Sequence, residues 1–80
     1  MALADQRTPA QEELGKRVRA RRKELGLSQI GLAEVCGLHF TFISTVERGE
    51  RNLSLASLLA IADGLDVDPA EFVRGLRRSP

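Results

Sequence analysis

The sequence predicts an all-α fold, a compact five-helix bundle, on three observations. No stretch alternates apolar and polar residues with period two; apolar residues recur instead at spacings of three and four. Glycines sit just beyond four of these runs, at Gly26, Gly37, Gly49 and Gly64, where helices stop. Eighty residues make one domain. A chain this short buries only about 60% of its unfolded surface, so pairing with a second copy would stabilise it.

Residues 1–10, MALADQRTPA, lack periodicity and contain Pro9, and are expected to form a flexible N-terminal arm. The domain proper is expected over residues 11–77. Its first helix begins at Glu12 and puts Leu14, Val18, Arg22 and Leu25 on one face before Gly26 ends it. LSQIGLAEVCG gives a second helix, capped by Ser28, with Leu32, Ala33 and Cys36 inward and Gly37 as its stop. Gly31 inside it costs about 1 kcal/mol against Ala, and Glu or Lys would be expected there. The third helix runs from His39 or Phe40 to Arg48. The fourth, SLASLLAIADG, has Ser54 as cap, Leu55, Leu58, Leu59 and Ala62 as its apolar residues and Gly64 as its stop. The fifth opens with DPAE: Asp68 as cap, Pro69 at the first helical position and Glu71 completing a capping box. It is expected to continue through Phe72, Val73 and Leu76, leaving residues 78–80 as a loose tail.

Charge is uneven along the chain although its total is only +1. Residues 14–52 carry eight basic and four acidic groups, whereas residues 53–73 carry four acidic groups and no base. One end of the molecule is therefore expected to attract a polyanion. The lone Cys36 allows no internal disulfide and fits a reducing compartment. No apolar run approaches the roughly 18 residues that span a bilayer, and the start shows no secretory pattern. A cytoplasmic protein without a membrane partner is expected. His39, the single histidine, has no Cys, Ser or second His at a motif spacing, so neither an enzyme nor a metal site is expected. Neither a cofactor nor a small-molecule ligand is expected either.

The third helix carries the functional signal. With Ile43 at the centre of its inner face, His39, Val46 and Glu47 fall on the same side, and Thr41, Thr45 and Arg48 on the opposite one, flanked by Ser44 and Phe42. A solvated face would carry Glu and Lys; this one is short and rich in hydroxyls, suited to close approach to base edges or phosphates. Only Gly37, Leu38 and His39 separate it from the second helix, the tight turn of a helix-turn-helix, which presents its second helix to a major groove.

LGLSQIGLAEVCGLHFTFISTVERGERNLSLASLLAIADGL resembles the helix-turn-helix of the Xre/Cro–phage-repressor family, a lambda-repressor-like DNA-binding domain, over roughly residues 13–76. Landmarks in register are Leu25 to Gln29, Leu32 and Ala33, Gly37, Ile43 and Ser44, Glu47 to Gly49, Asn52 and the helix that follows. ERGERNLSL is most similar to small stand-alone bacterial regulators, including restriction–modification controller proteins. The resemblance implies a homodimeric regulator of transcription on double-stranded DNA with a pseudo-palindromic operator. It implies base contacts from Phe40, Thr41, Ser44 and Thr45, and backbone contacts from Gln29, Phe42, Arg48, Arg51 and Asn52. It also implies an internal ion pair between Arg22 and Glu47. Phe40 departs from the Arg or Gln of many relatives and offers only apolar contact, to a thymine methyl or between bases.

Blander readings stand beside these. KRVRARRKE spreads around its helix and reads as a mainly solvated face rather than a nucleic-acid patch. Cys36 reads as plain core, His39 as a local cap, and Phe42 is balanced between DNA and intramolecular packing. Phe72, Val73 and Leu76 form a stripe that closes the core or, as favoured here, a two-fold dimer interface. The competing functional reading is a helical protein-interaction module or antitoxin, which should show more large apolar anchors on its docking helix.

Overall fold

Helix α1 spans Pro9–Glu24 in the computed structural model, which describes residues 8–78. It starts three residues before Glu12. Thr8 caps it, its Oγ1 accepting from the Gln11 N–H while the Gln11 side chain accepts from the Thr8 N–H. Pro9 is thus the N1 proline of a capped helix, the position where its missing N–H costs nothing. The arm expected over residues 1–10 therefore loses its last residues to α1, and the rest of it, residues 1–7, lies outside the described chain. Leu14, Val18 and Arg22 are buried, but Leu25 is exposed, because the chain leaves the helix there and turns through Gly26 at φ +72°.

Helices α2 (Gln29–Cys36) and α3 (Phe40–Glu47) follow, and the chain bends by 116° between them. Ser28 Oγ accepts from the Gly31 N–H at 2.9 Å. A Cβ on Gly31 would lie 3.2 Å from that oxygen, so the cap leaves little room for the Glu or Lys expected there. Gly37 takes the left-handed conformation, φ +71°, that lets the turn stay three residues long. His39 caps α3 through Nδ1, which accepts from the Thr41 N–H, and the ring stays exposed instead of joining the inner face.

Helix α4 (Leu55–Gly64) is capped by Ser54. Gly64 does not stop it by turning left-handed; Asp66 does that, at φ +53°. Gly64 serves contact instead. A Cβ there would come 2.6 Å from Cys36 Sγ, so α2 and α4 touch at this point. Cys36 is half-buried at the contact rather than in the core, and burial, with a smaller push from Asp63, raises its thiol pKa.

Helix α5 (Ala70–Val73) is a single turn. Asp68 Oδ1 accepts from the Ala70 N–H, but the Glu71 carboxylate bonds Arg74 rather than reaching back, so the capping box does not close. Gly75, at φ +74°, ends the run before Leu76. The core is one cluster: Leu14, Val18, Leu32, Ala33, Ile43, Val46, Ile61, Ala62, Leu65 and Phe72. Phe72 is 2% exposed and belongs to the protomer's own core, so the stripe expected to form the dimer interface keeps only Val73 exposed, with Leu76 half-buried.

The arginines of α1 bind the bundle together. Arg17 Nη1 donates to the carbonyl oxygen of Arg74 at 2.8 Å and lies within 3.4 Å of that of Phe72. Arg21 Nε and Nη2 donate to the carbonyl oxygens of Leu65 and Asp66. These carbonyls lie at the C-terminal ends of α5 and α4, where helices leave acceptors unpaired and the dipole favours cations. Lys16, Arg19 and Lys23 of the basic run are exposed, as a solvated face requires, but Arg17 and Arg21 close helix ends in the acidic half, so the field is less one-sided than the charge order suggests.

Candidate nucleic-acid interface

Ile43 and Val46 are buried and anchor α3, Gly15 lets α1 cross it closely, and the other side of α3 faces outward. A Cβ on Gly15 would lie 2.5 Å from the Val46 carbonyl oxygen. Phe40, 44% exposed, and Thr41 stand at the start of the open face. Gly49 at φ +78° then reverses the chain, with the Glu50 N–H donating to the Thr45 carbonyl and the Gly49 N–H to that of Val46. This reversal returns Arg51 to the side of α3.

The two later hydroxyls are not open. Ser44 Oγ accepts from Arg48 Nη1 at 2.7 Å. Thr45 Oγ1 donates to the Phe42 carbonyl at 2.8 Å and accepts from Arg51 Nε at 3.1 Å. Both residues are only part-exposed. Of the four expected base-facing residues, Phe40 and Thr41 are presented freely, whereas Ser44 and Thr45 hold arginines. Phe42 packs against the core and carries the Arg51 guanidinium 5.0 Å from its ring centroid. Of the two alternatives for Phe42, intramolecular packing is the one seen. Arg48 also pairs with Glu50 at 3.2 Å on the surface. Asn52 is exposed beside Thr8, Ala10 and Gln11 at the start of α1.

Beneath this face lies the Arg22–Glu47 pair. Arg22 Nε donates to Glu47 Oε2 at 2.6 Å and Nη2 to Oε1 at 3.0 Å, and the Glu47 side chain is 3% exposed. Arg22 Nη1 also donates to the Leu27 carbonyl at 2.8 Å. The hydrogen bond to Glu47 raises the Arg22 pKa above its ordinary value, outweighing burial, so the guanidinium stays charged. Gln29 Nε2 donates to Glu47 Oε1 at 3.0 Å. Sequence reasoning missed this third member: for Gln29, at the start of α2, the resemblance implies only a contact to the DNA backbone. Its amide keeps one further N–H for an outside acceptor. The arrangement fixes α1, α2 and α3 to one buried carboxylate and so sets the angle at which α3 is offered.

A helix-turn-helix family model matches residues 18–72. This chain belongs to the helix-turn-helix family of DNA-binding transcriptional regulators. Control protein C.SmaI of Serratia marcescens is 47% identical over 55 residues, 69% of this chain and 66% of that protein. The match thus spans just under two thirds of that relative. The restriction–modification controller protein C.AhdI from Aeromonas hydrophila has a similar structure, with a TM-score of 0.75 at 43% identity, covering 76% of this chain and 92% of the other. The c2 repressor of Salmonella phage P22, solved in complex with a synthetic operator, matches with a TM-score of 0.72 at 35% identity, covering 78% and 94%. Among the described residues no single helix is long and apolar enough to cross a membrane.

Proposed function

We propose that the chain regulates transcription as a homodimer on a pseudo-palindromic operator, each protomer setting α3 into a major groove. The observation that carries this is the α3 surface itself: Phe40 and Thr41 open at its start, Arg48 and Arg51 beyond its end, and Ile43 and Val46 fixed behind. Phe40 meets a thymine methyl, Thr41 hydrogen-bonds a base edge or phosphate, and Gln29, Arg48, Arg51 and Asn52 hold the backbone. The seam between protomers runs along α4, where Leu55 and Leu59 are 70% and 45% exposed at a spacing of four. Beside them lie Ala56, Ala60, Val67 and Pro69. Exposed Leu residues that share a helix face suit a two-fold contact better than the α5 stripe, from which Phe72 is withdrawn.

Selection of bound duplexes from a random pool, followed by gel-shift titration over a salt series, tests the reading. The expected site is an inverted repeat with half-site centres about 34 Å apart. Affinity falls steeply with salt as counterions are released. Thr41→Ala combined with Arg48→Ala weakens binding; unchanged affinity for the selected site sinks the assignment of α3 to the groove.

A further inference from the structure

We infer that Thr45 is a positioning residue that holds Arg51 as a preformed fork for a bidentate acceptor on the duplex. The inference rests on the function proposed above and concerns what the hydroxyl of Thr45 does within it. Three contacts converge. The Thr45 hydroxyl proton goes to the Phe42 carbonyl oxygen at 2.8 Å, which orients the oxygen's lone pairs away from the helix. Arg51 Nε donates to that oxygen at 3.1 Å. The guanidinium then lies over the Phe42 ring, 5.0 Å from its centroid. The reversal at Gly49 brings Arg51 to this place, six residues after Thr45 in sequence.

Nε and one face of the guanidinium are therefore engaged, and among the described residues Nη1 and Nη2 make no hydrogen bond. The neighbouring carboxylate, Glu50, is occupied by Arg48. A planar fork held at its base and along one face loses less rotamer freedom on binding than a free arginine does. Its match is a pair of coplanar acceptors: two phosphate oxygens, or N7 and O6 of guanine. Phe40 has no polar atom with which to make such a pair, so the fork supplies directional recognition that the first residue of α3 lacks. The Thr45 hydroxyl has given its one proton to Phe42 and one lone pair to Arg51, so it has no donor left for a base edge.

Thr45→Val keeps the side-chain shape and removes the hydroxyl, Thr45→Ser keeps the hydroxyl, and Arg51→Gln removes the fork. The probe is the duplex that the wild-type protein selects from a random pool. Thr45→Val is expected to weaken binding about tenfold, the equivalent of one hydrogen bond to a charged group. Thr45→Ser binds like the wild type, and Thr45→Val adds nothing in the Arg51→Gln background. A phosphate partner shows as a salt slope lower by about one in Arg51→Gln; a guanine partner shows as relaxed preference at one base pair. In the free protein the Arg51 Hε resonance carries a ring-current shift from Phe42 that Thr45→Val abolishes and Thr45→Ser keeps. Equal losses from Thr45→Val in both backgrounds, or an Hε resonance that does not move, overturn the inference. Failure of the wild-type protein to select any duplex would sink the proposed function instead, while the resonance still decides whether Thr45 holds Arg51.

Discussion

Glu47→Gln isolates the energetics beneath α3. The carboxylate receives two hydrogen bonds from Arg22 and one from Gln29, at 2.6 to 3.0 Å, with its side chain 3% exposed. Gln keeps the shape but removes the charge and turns one acceptor into a donor facing a guanidinium. A buried cation left without its counter-ion costs about 3–5 kcal/mol. The whole stability of a chain this size is about 4–12 kcal/mol, so the loss is a large fraction of it. At about 4–8 °C per kcal/mol the midpoint falls by at least about 12 °C in a thermal melt followed by circular dichroism. Arg22→Met combined with Glu47→Leu recovers most of the loss, because it removes both charges; the unpaired Leu27 carbonyl accounts for about 1 kcal/mol that is not recovered. The double variant still binds the selected duplex if the pair only sets geometry. A Glu47→Gln loss below about 1 kcal/mol, as for exposed pairs, would refute the account, as would a double variant no better than the single one.

Gly15→Ala drives a methyl into the Val46 and Glu47 carbonyls of α3, backbone that has nowhere to go, and urea titration is expected to register a loss of about 1–3 kcal/mol. Gly64→Ala is expected to destabilise the wild type but to stabilise a Cys36→Ala chain by up to about 1 kcal/mol, since the Sγ contact at 2.6 Å is the severe one and the Val35 Cγ1 at 3.3 Å, a side-chain methyl, needs to give by only a few tenths of an ångström. A destabilising Gly64→Ala in both backgrounds would show that the contact is misassigned. Leu59→Lys is expected to shift the sedimentation equilibrium toward monomer and weaken operator binding while leaving the protomer's fold intact. The raised Cys36 thiol pKa means that the folded chain keeps a proton that the unfolded chain gives up. Stability is therefore expected to fall as pH rises past the ordinary thiol range, in denaturant titrations, and Cys36→Ala to lose that dependence.

Much of the fold was legible because its signals are local. Ser28 and Ser54 cap the helices they precede, Gly37 and Gly49 turn left-handed after the helices they follow, and Ile43 and Val46 face inward as their spacing requires. What escaped depends on partners distant in sequence. Pro9 looked like an arm until Thr8 and Gln11 closed a capping box around it. Gly64 resembled a stop signal, and only the approach of Cys36 from α2 explains it. Phe72 lies on an apolar stripe whose inward direction is set by α1, not by its own short turn. On the candidate site, helical periodicity put Thr45 on the outer face, but periodicity cannot say that its hydroxyl is taken by Arg51. Exposed α4 leucines were visible as apolar positions, yet which of them the core would leave uncovered required the packed bundle.

One helix joins functions that would otherwise separate. Arg22 reaches the carboxylate under α3, while Arg17 and Arg21 grip the ends of α5 and α4. The half bearing the outer face of α3 and the half bearing Leu55 and Leu59 therefore share a single tie-beam. A protease cut within Pro9–Glu24 is therefore expected to unfold both halves together, in one cooperative step.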